Sequence, residues 1–227
     1  MTKVIDFDGD HGATYVDEIR KGIPGYEDLH ILTAAFLLDQ VADHGTILVV
    51  GCGGGEECLT LSGANPNWRL VGVDPSPQMI AIARKRTEGR AGMRLVQGDL
   101  ATLPAAAPFD AATSLLVLHF IEGDEKKREH LARIADRLKP GGTLILAAVV
   151  SPTASPLNGA LAKAWASYAV LKGANREAVE AKIAKIAEEI DPVDEGGMLR
   201  LLDEAGFAHS QRFYQGLRFS AFIAVKA

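Results

Sequence analysis

The sequence predicts an α/β protein: a mostly parallel sheet with helices on both faces. Three observations carry this. From residue 46 onward, short runs rich in Val, Ile and Leu alternate with longer segments of helical period. The first run leads directly into a glycine-rich turn, GCGGGEE. The last two runs are separated only by Gly216 and Leu217, a connection that suits antiparallel neighbours.

The strands expected in order are 46–50, 69–73, 93–97, 110–115, 143–150, 209–215 and 218–225. A helix over 77–87 follows from Met79, Ile80, Ile82 and Ala83, and one over 124–138 from Leu131, Ile134, Ala135 and Leu138. Lys139-Pro140-Gly141-Gly142 then stops the helix and turns into the next strand. Outside this alternation lie an N-terminal segment (1–45), with a long apolar helix over 27–41, and an insert (151–205), with Ala-rich helices over 157–172 and 176–190. An insert of that length after a core strand is too long for a plain loop. The expected organisation is a core of 46–150 plus 206–227, with the two outer segments meeting as a lid over the carboxyl end of the sheet.

With 48% hydrophobic and 23% charged residues in 227, the chain has the balance of a folded globular protein and not a disordered one. No apolar run reaches the roughly 18 residues of a membrane span, and the acidic start MTKVIDFDGD is no signal peptide, so a cytoplasmic protein is expected. A net charge of -5 gives no general attraction to phosphate backbones or anionic membranes. Cys52 and Cys58 match neither a metal knuckle nor a redox pair; both are expected as reduced thiols, with no metal site.

The chemistry concentrates at three successive strand ends. Glycines at 51, 53 and 55 allow close approach of a ligand to the backbone, and the following helix offers unpaired N–H groups. A dinucleotide fingerprint would need glycine at position 56, where Glu56 stands; a phosphate loop would need Lys-Ser or Lys-Thr, which is absent. Asp74 ends the second strand, 19 residues beyond Gly55, where a carboxylate accepts from two ribose hydroxyls. Asp99 ends the third, where a carboxylate can accept from an adenine amino group. A nucleoside without phosphates fits this set.

The set VVGCGGG, LVGVDPSPQMIAIAR, LVQGDLATLP, FDAATSLLVLHFI and LKPGGTLIL resembles the successive motifs of class I S-adenosylmethionine-dependent methyltransferases. The resemblance implies a Rossmann-like seven-stranded sheet in the order 3-2-1-4-5-7-6, strand 7 antiparallel. It also implies that Gly51, Cys52, Gly53 and Gly55 hold the methionine portion of S-adenosylmethionine and Asp74 the ribose. Pro75, Ser76 and Met79 would surround the adenine, Asp99 and Leu100 meet its edge, and Leu115 and Leu116 line the floor. Many members carry an acid two positions before the first glycine; here that position is Val49, so the cofactor's amino group must be met by main-chain carbonyls or by a lid residue, with Glu56 a candidate.

The chain ends, FDGDHGATYVDEIRKGIPGYEDL and LLDEAGFAHSQRFYQGLRFSAFIAVKA, look similar to the tRNA wobble-uridine carboxymethyltransferase family, whose members use carboxy-S-adenosylmethionine. That resemblance puts Tyr26, of Pro24-Gly25-Tyr26, at the sulfonium end of the cofactor. The extra carboxylate should need an Arg. Its position falls on or near Ile183, in a stretch without Arg, where Lys182 and Lys185 read as a solvated face, so ordinary S-adenosylmethionine is expected. The basic clusters Arg84, Lys85, Arg86, Arg90, Arg94 and Lys126, Lys127, Arg128, Arg133 read as solvated helix faces, without the interleaved aromatics of base stacking.

Methyl transfer asks chiefly for alignment and exclusion of water. The candidate general bases and substrate contacts are His119, after strand four, and His11 and Tyr15 in the N-terminal segment. Trp165 and Tyr168, three apart on a helix, read as core. The expected activity is methylation of a small molecule. The alternatives are a tRNA modifier using the carboxylated cofactor and a non-catalytic nucleoside-binding protein. The Ala-rich insert could cap its own pocket or join a homodimer.

Overall fold

The computed structural model describes residues 19–104, 107–151 and 157–227; His11 and Tyr15 lie outside them, as does the side chain of residue 182. Seven strands form one sheet in the order β3-β2-β1-β4-β5-β7-β6. They are β1 (Thr46–Val50), β2 (Arg69–Asp74), β3 (Met93–Gln97), β4 (Phe109–Leu115), β5 (Leu138–Val149), β6 (Phe207–Gly216) and β7 (Phe219–Lys226). β7 runs antiparallel to both β5 and β6; the other pairings are parallel. This is the predicted order, and it brings the ends of β1, β2 and β3 side by side on one edge.

The helices are α1 (Tyr26–Gln40), α2 (Glu56–Ala64), α3 (Pro77–Arg86), α4 (Asp124–Arg137), α5 (Asn158–Leu171), α6 (Arg176–Glu189) and α7 (Glu195–Glu204). On one face of the sheet Leu29 and Leu37 of α1, with Cys58 and Leu61 of α2, pack on Ile47, Val49 and Ile145. On the other, Leu131 and Ile134 of α4, with Met198, Leu201 and Leu202 of α7, pack on Leu48, Leu144 and Phe222. Alternate strand residues thus face opposite helical layers, as period-two geometry requires.

Two elements depart from the expectation. β5 starts at Leu138, not 143: Leu138 pairs with Phe109, and the register then shifts before Ala111 meets Thr143. Pro140, which has no N–H to give a ladder, falls within that irregularity. α7 was not expected, because Gly196 and Gly197 weaken the helical signal. Asp194 caps it, its Oδ1 accepting from the Gly197 N–H at 2.7 Å.

Above the carboxyl end of β5, Ile23 and Tyr26 pack with Val149, Trp165 and Phe219; Leu116, Ile183, Ile186 and Ile190 border this cluster. Trp165 Nε1 donates to the Gly22 carbonyl at 2.6 Å, joining α5 to the segment before α1.

Candidate functional site

The turn after β1 is pinned to β2: the N–H groups of Gly51 and Cys52 both donate to the Val73 carbonyl, at 2.8 and 3.1 Å. Gly51 has φ 70°, and a Cβ there would collide with Val117. Gly55 precedes α2 and lets it approach α3, where a Cβ would stand 3.1 Å from that of Ala83. Above Gly53 there is open space.

Asp74 is buried, and main-chain groups orient both of its oxygens. Oδ2 accepts from the Gly53 N–H at 2.8 Å and Oδ1 from the Ser76 N–H at 2.9 Å. Ser76 is the N-cap of α3, its Oγ accepting from the Met79 N–H at 3.1 Å; both residues are buried, whereas Pro75 is exposed. Asp99 is exposed, and its Oδ1 accepts from the N–H groups of Ala101 and Thr102. The Leu100 side chain lies in the core, and its carbonyl accepts from Arg137 at 2.7 Å. The Cys52 thiol is buried beside Cys58. Their mutual hydrogen bond, together with burial, pushes its pKa up, so it stays protonated.

After β4, Leu115 is buried and Leu116 has φ 64°, its N–H donating to the Ala147 carbonyl at 2.7 Å. A leucine in the left-handed region stores about 1–3 kcal/mol of strain, a feature that clusters at functional sites. His119, in the short 3₁₀ turn that follows, is buried. Its Nδ1 accepts from the Val149 N–H at 3.2 Å, which assigns the ring proton to Nε2. Burial, and then the charge of Lys127, lower its pKa to about 3, so the ring is neutral.

Tyr26 opens α1 and is buried edge-on against His30, ring centroids 4.6 Å apart. The carbonyl of the preceding Pro24 accepts from the Tyr214 hydroxyl at 2.5 Å, which fixes the approach to the helix. Glu56 is committed elsewhere: one oxygen accepts from Arg20 at 2.7 Å and the other from Arg86 at 2.5 Å. Burial works against its charge, but Arg86 and Arg20 together hold the carboxyl below its usual range. With both oxygens engaged, Glu56 is a strut between the N-terminal segment and the glycine turn rather than the amino-group contact the sequence suggested.

Two buried groups escaped sequence reasoning. Glu57 is 5% exposed with Oε1 lacking a hydrogen-bond partner; burial raises its pKa to about 7, with Thr113 opposing the rise. Thr113 is the cross-strand partner of Val49, so a carboxylate does reach the layer of the sheet from which the strand-one acid is missing. The other is His30, 6% exposed with neither ring nitrogen partnered.

The basic clusters are partly spent on structure. Arg86 holds Glu56 and the Gly54 carbonyl, and Arg90 donates to Ser62. Lys127 is 1% exposed and bonds Asp191 at 2.6 Å, contrary to the solvated face expected of it. Among the described residues no group of His, Cys, Asp and Glu is placed to hold a metal, and no helix is long and apolar enough to cross a membrane.

Residues 47–142 match the methyltransferase domain family, which spans the glycine turn, Asp74, Asp99 and the end of β4. Over this stretch the chain is similar to a methyltransferase domain. The S-adenosylmethionine-bound amino pentose methyltransferase of Micromonospora echinaspora has the same fold as this chain. Its TM-score is 0.65 at 18% identity, covering 94% of this chain and 97% of that one. An N-methyltransferase of Bradyrhizobium japonicum bound to S-adenosylhomocysteine gives a TM-score of 0.57 at 15% identity, covering 97% and 90%. Curated relatives similar to this chain over nearly its whole length carry the name carboxy-S-adenosyl-L-methionine synthase. That of Hydrogenovibrio crunogenus is 25% identical over 97% of this chain and 89% of its own. That of Wolinella succinogenes is 27% identical over 100% and 95%.

Proposed function

We propose that the protein methylates a small-molecule acceptor held beneath the N-terminal segment and the helical insert, with unmodified S-adenosylmethionine as donor. In this reading Gly51, Cys52, Gly53 and Gly55 cradle the methionine portion, and Asp74 accepts from the ribose hydroxyls. Pro75, Ser76, Met79, Asp99 and Leu100 surround the adenine, Leu115 and Leu116 form the floor, and Tyr26 stands at the sulfonium end. The two main-chain donors aiming the Asp74 carboxylate, and the open space over Gly53, fit such a ligand. When bound, the cofactor supplies an electrophilic methyl group on sulfur. The chain's own task is to align an acceptor lone pair with it and exclude water. The neutral His119, its Nδ1 engaged, is fitted to donate a hydrogen bond from Nε2 rather than to take a proton. His11 and Tyr15 remain the candidates for acceptor contacts.

The observation that carries the choice of donor is Ile183. Where the carboxylated cofactor should need an Arg, this apolar side chain borders the cluster of Tyr26, Val149, Trp165 and Phe219. A carboxylate buried there without a cation would be strongly disfavoured. A second reading, production or use of carboxy-S-adenosylmethionine, is favoured by the printed name of relatives that cover nearly the whole chain. Mass determination of the nucleoside released from freshly purified protein separates the two. S-adenosylmethionine or its demethylated product is expected; the heavier carboxylated nucleoside would overturn the first reading in favour of the second.

A further inference from the structure

On α1, one turn after Tyr26, the imidazole of His30 is buried on the face that carries Tyr26, and its ring meets that tyrosine edge-on at 4.6 Å. It lies close enough to Glu56 and Arg20, the pair bracing the end of the glycine turn, to feel both charges. Neither ring nitrogen has a hydrogen-bond partner. A neutral imidazole carries one N–H donor and one acceptor nitrogen, and leaving both unmet in a buried place costs free energy. Among the described residues, Glu56 is held by two arginines and the Thr33 hydroxyl donates to the Leu29 carbonyl.

We propose that His30 binds the amino-acid end of the cofactor, its acceptor nitrogen taking a hydrogen bond from the α-ammonium group. The proposal rests on the assignment of the glycine turn to the methionine portion, and it deepens that assignment by naming the side chain that recognises it. The α-ammonium group carries N–H donors and no acceptor, which suits the acceptor nitrogen of a neutral imidazole. Position 49, where many members of the superfamily carry a carboxylate, is Val49, 0% exposed, and its side chain offers no acceptor. Burial lowers the His30 pKa to about 4, which keeps the acceptor nitrogen available at neutral pH.

The test is calorimetric titration of wild type, His30→Ala and His30→Gln with S-adenosylhomocysteine and with 5′-methylthioadenosine, which keeps the nucleoside and lacks the amino-acid end. His30→Ala should weaken S-adenosylhomocysteine about tenfold, the worth of roughly 1.4 kcal/mol, and leave methylthioadenosine within twofold. His30→Gln, with its own donor and acceptor, should recover part of the loss. Unchanged binding of S-adenosylhomocysteine, or equal weakening of both ligands, overturns the role of His30. Unimpaired methylthioadenosine binding also certifies that the variant is folded. If wild type binds neither nucleoside, it is the cofactor assignment that fails.

Discussion

Asp74 and His30 mark the two limits of what single residues disclose. Asp74 stands at a strand tip a fixed distance after a glycine turn, so its position in the chain already implies its position on the sheet edge. His30 is one of six histidines and lies on a helix whose apolar residues gave no hint of which face met the turn. Only the packing of α1 against α2 puts it there. Glu56 and Glu57 show the same limit from the other side. Adjacent in sequence, one is braced by two arginines and one is buried almost alone, because the first turn of α2 points them in different directions. On the proposed reading, Asp74→Ala removes the acceptor for both ribose hydroxyls, and it releases the Gly53 and Ser76 N–H groups. Cofactor affinity should fall by about 1.5–3 kcal/mol, the range for hydrogen bonds to a charged group. Unchanged affinity by calorimetry would mean that the nucleoside lies elsewhere.

Among the elements, β1 falls where its apolar run places it, since a buried parallel strand is a continuous hydrophobic segment with sharp polar ends, while β3 is an edge strand without a buried residue. α7 was hidden because its helical character comes from a cap and from tertiary packing of Met198, Leu201 and Leu202, not from propensity. The link between α6 and α7 was equally hidden. There Asp191 reaches α4, its Oδ2 accepting from Lys127 at 2.6 Å and from the Gly123 N–H at 2.7 Å. Lys127 lies almost fully enclosed, whereas the Asp191 side chain is 48% exposed. Breaking a fully buried pair costs about 3–5 kcal/mol. Solvent at the Asp191 end moderates this, so Asp191→Ala should lower the unfolding free energy by about 2 kcal/mol in urea titration. A loss below about 0.5 kcal/mol would show that water reaches Lys127 and that the pair does not hold the insert to α4.

At the scale of the molecule, the polar groups sealed between the layers set how stability follows pH. His30, His119 and His130 have pKa values lowered by burial to about 4, about 3 and about 4. Unfolded, each binds its proton near 6.5. As pH falls below 6.5 the unfolded chain takes up protons that the folded one refuses, and stability is lost progressively down to the folded values. Glu57 acts with the opposite sign. Its folded pKa, raised to about 7 from an unfolded value of 4.5, gives a contribution that is complete below 4.5 and lost as pH rises through 7. Between 4.5 and 6.5 three histidines oppose one glutamate, so the net slope is positive: the urea midpoint should rise with pH to about 6.5. It should then dip slightly to about 7 as Glu57 completes its ionisation, and stay level above. Glu57→Gln removes the opposing arm. Relative to wild type it should gain stability steadily across 4.5–7, by about 3 kcal/mol at pH 8, the worth of 2.5 pKa units. A difference between the two proteins that does not change from pH 4.5 to 8 would mean that Glu57 is not held neutral beneath the glycine turn. A wild-type midpoint flat over 4.5–6.5 would mean that the three histidines are protonated in the fold, and that His30 has no free nitrogen with which to accept.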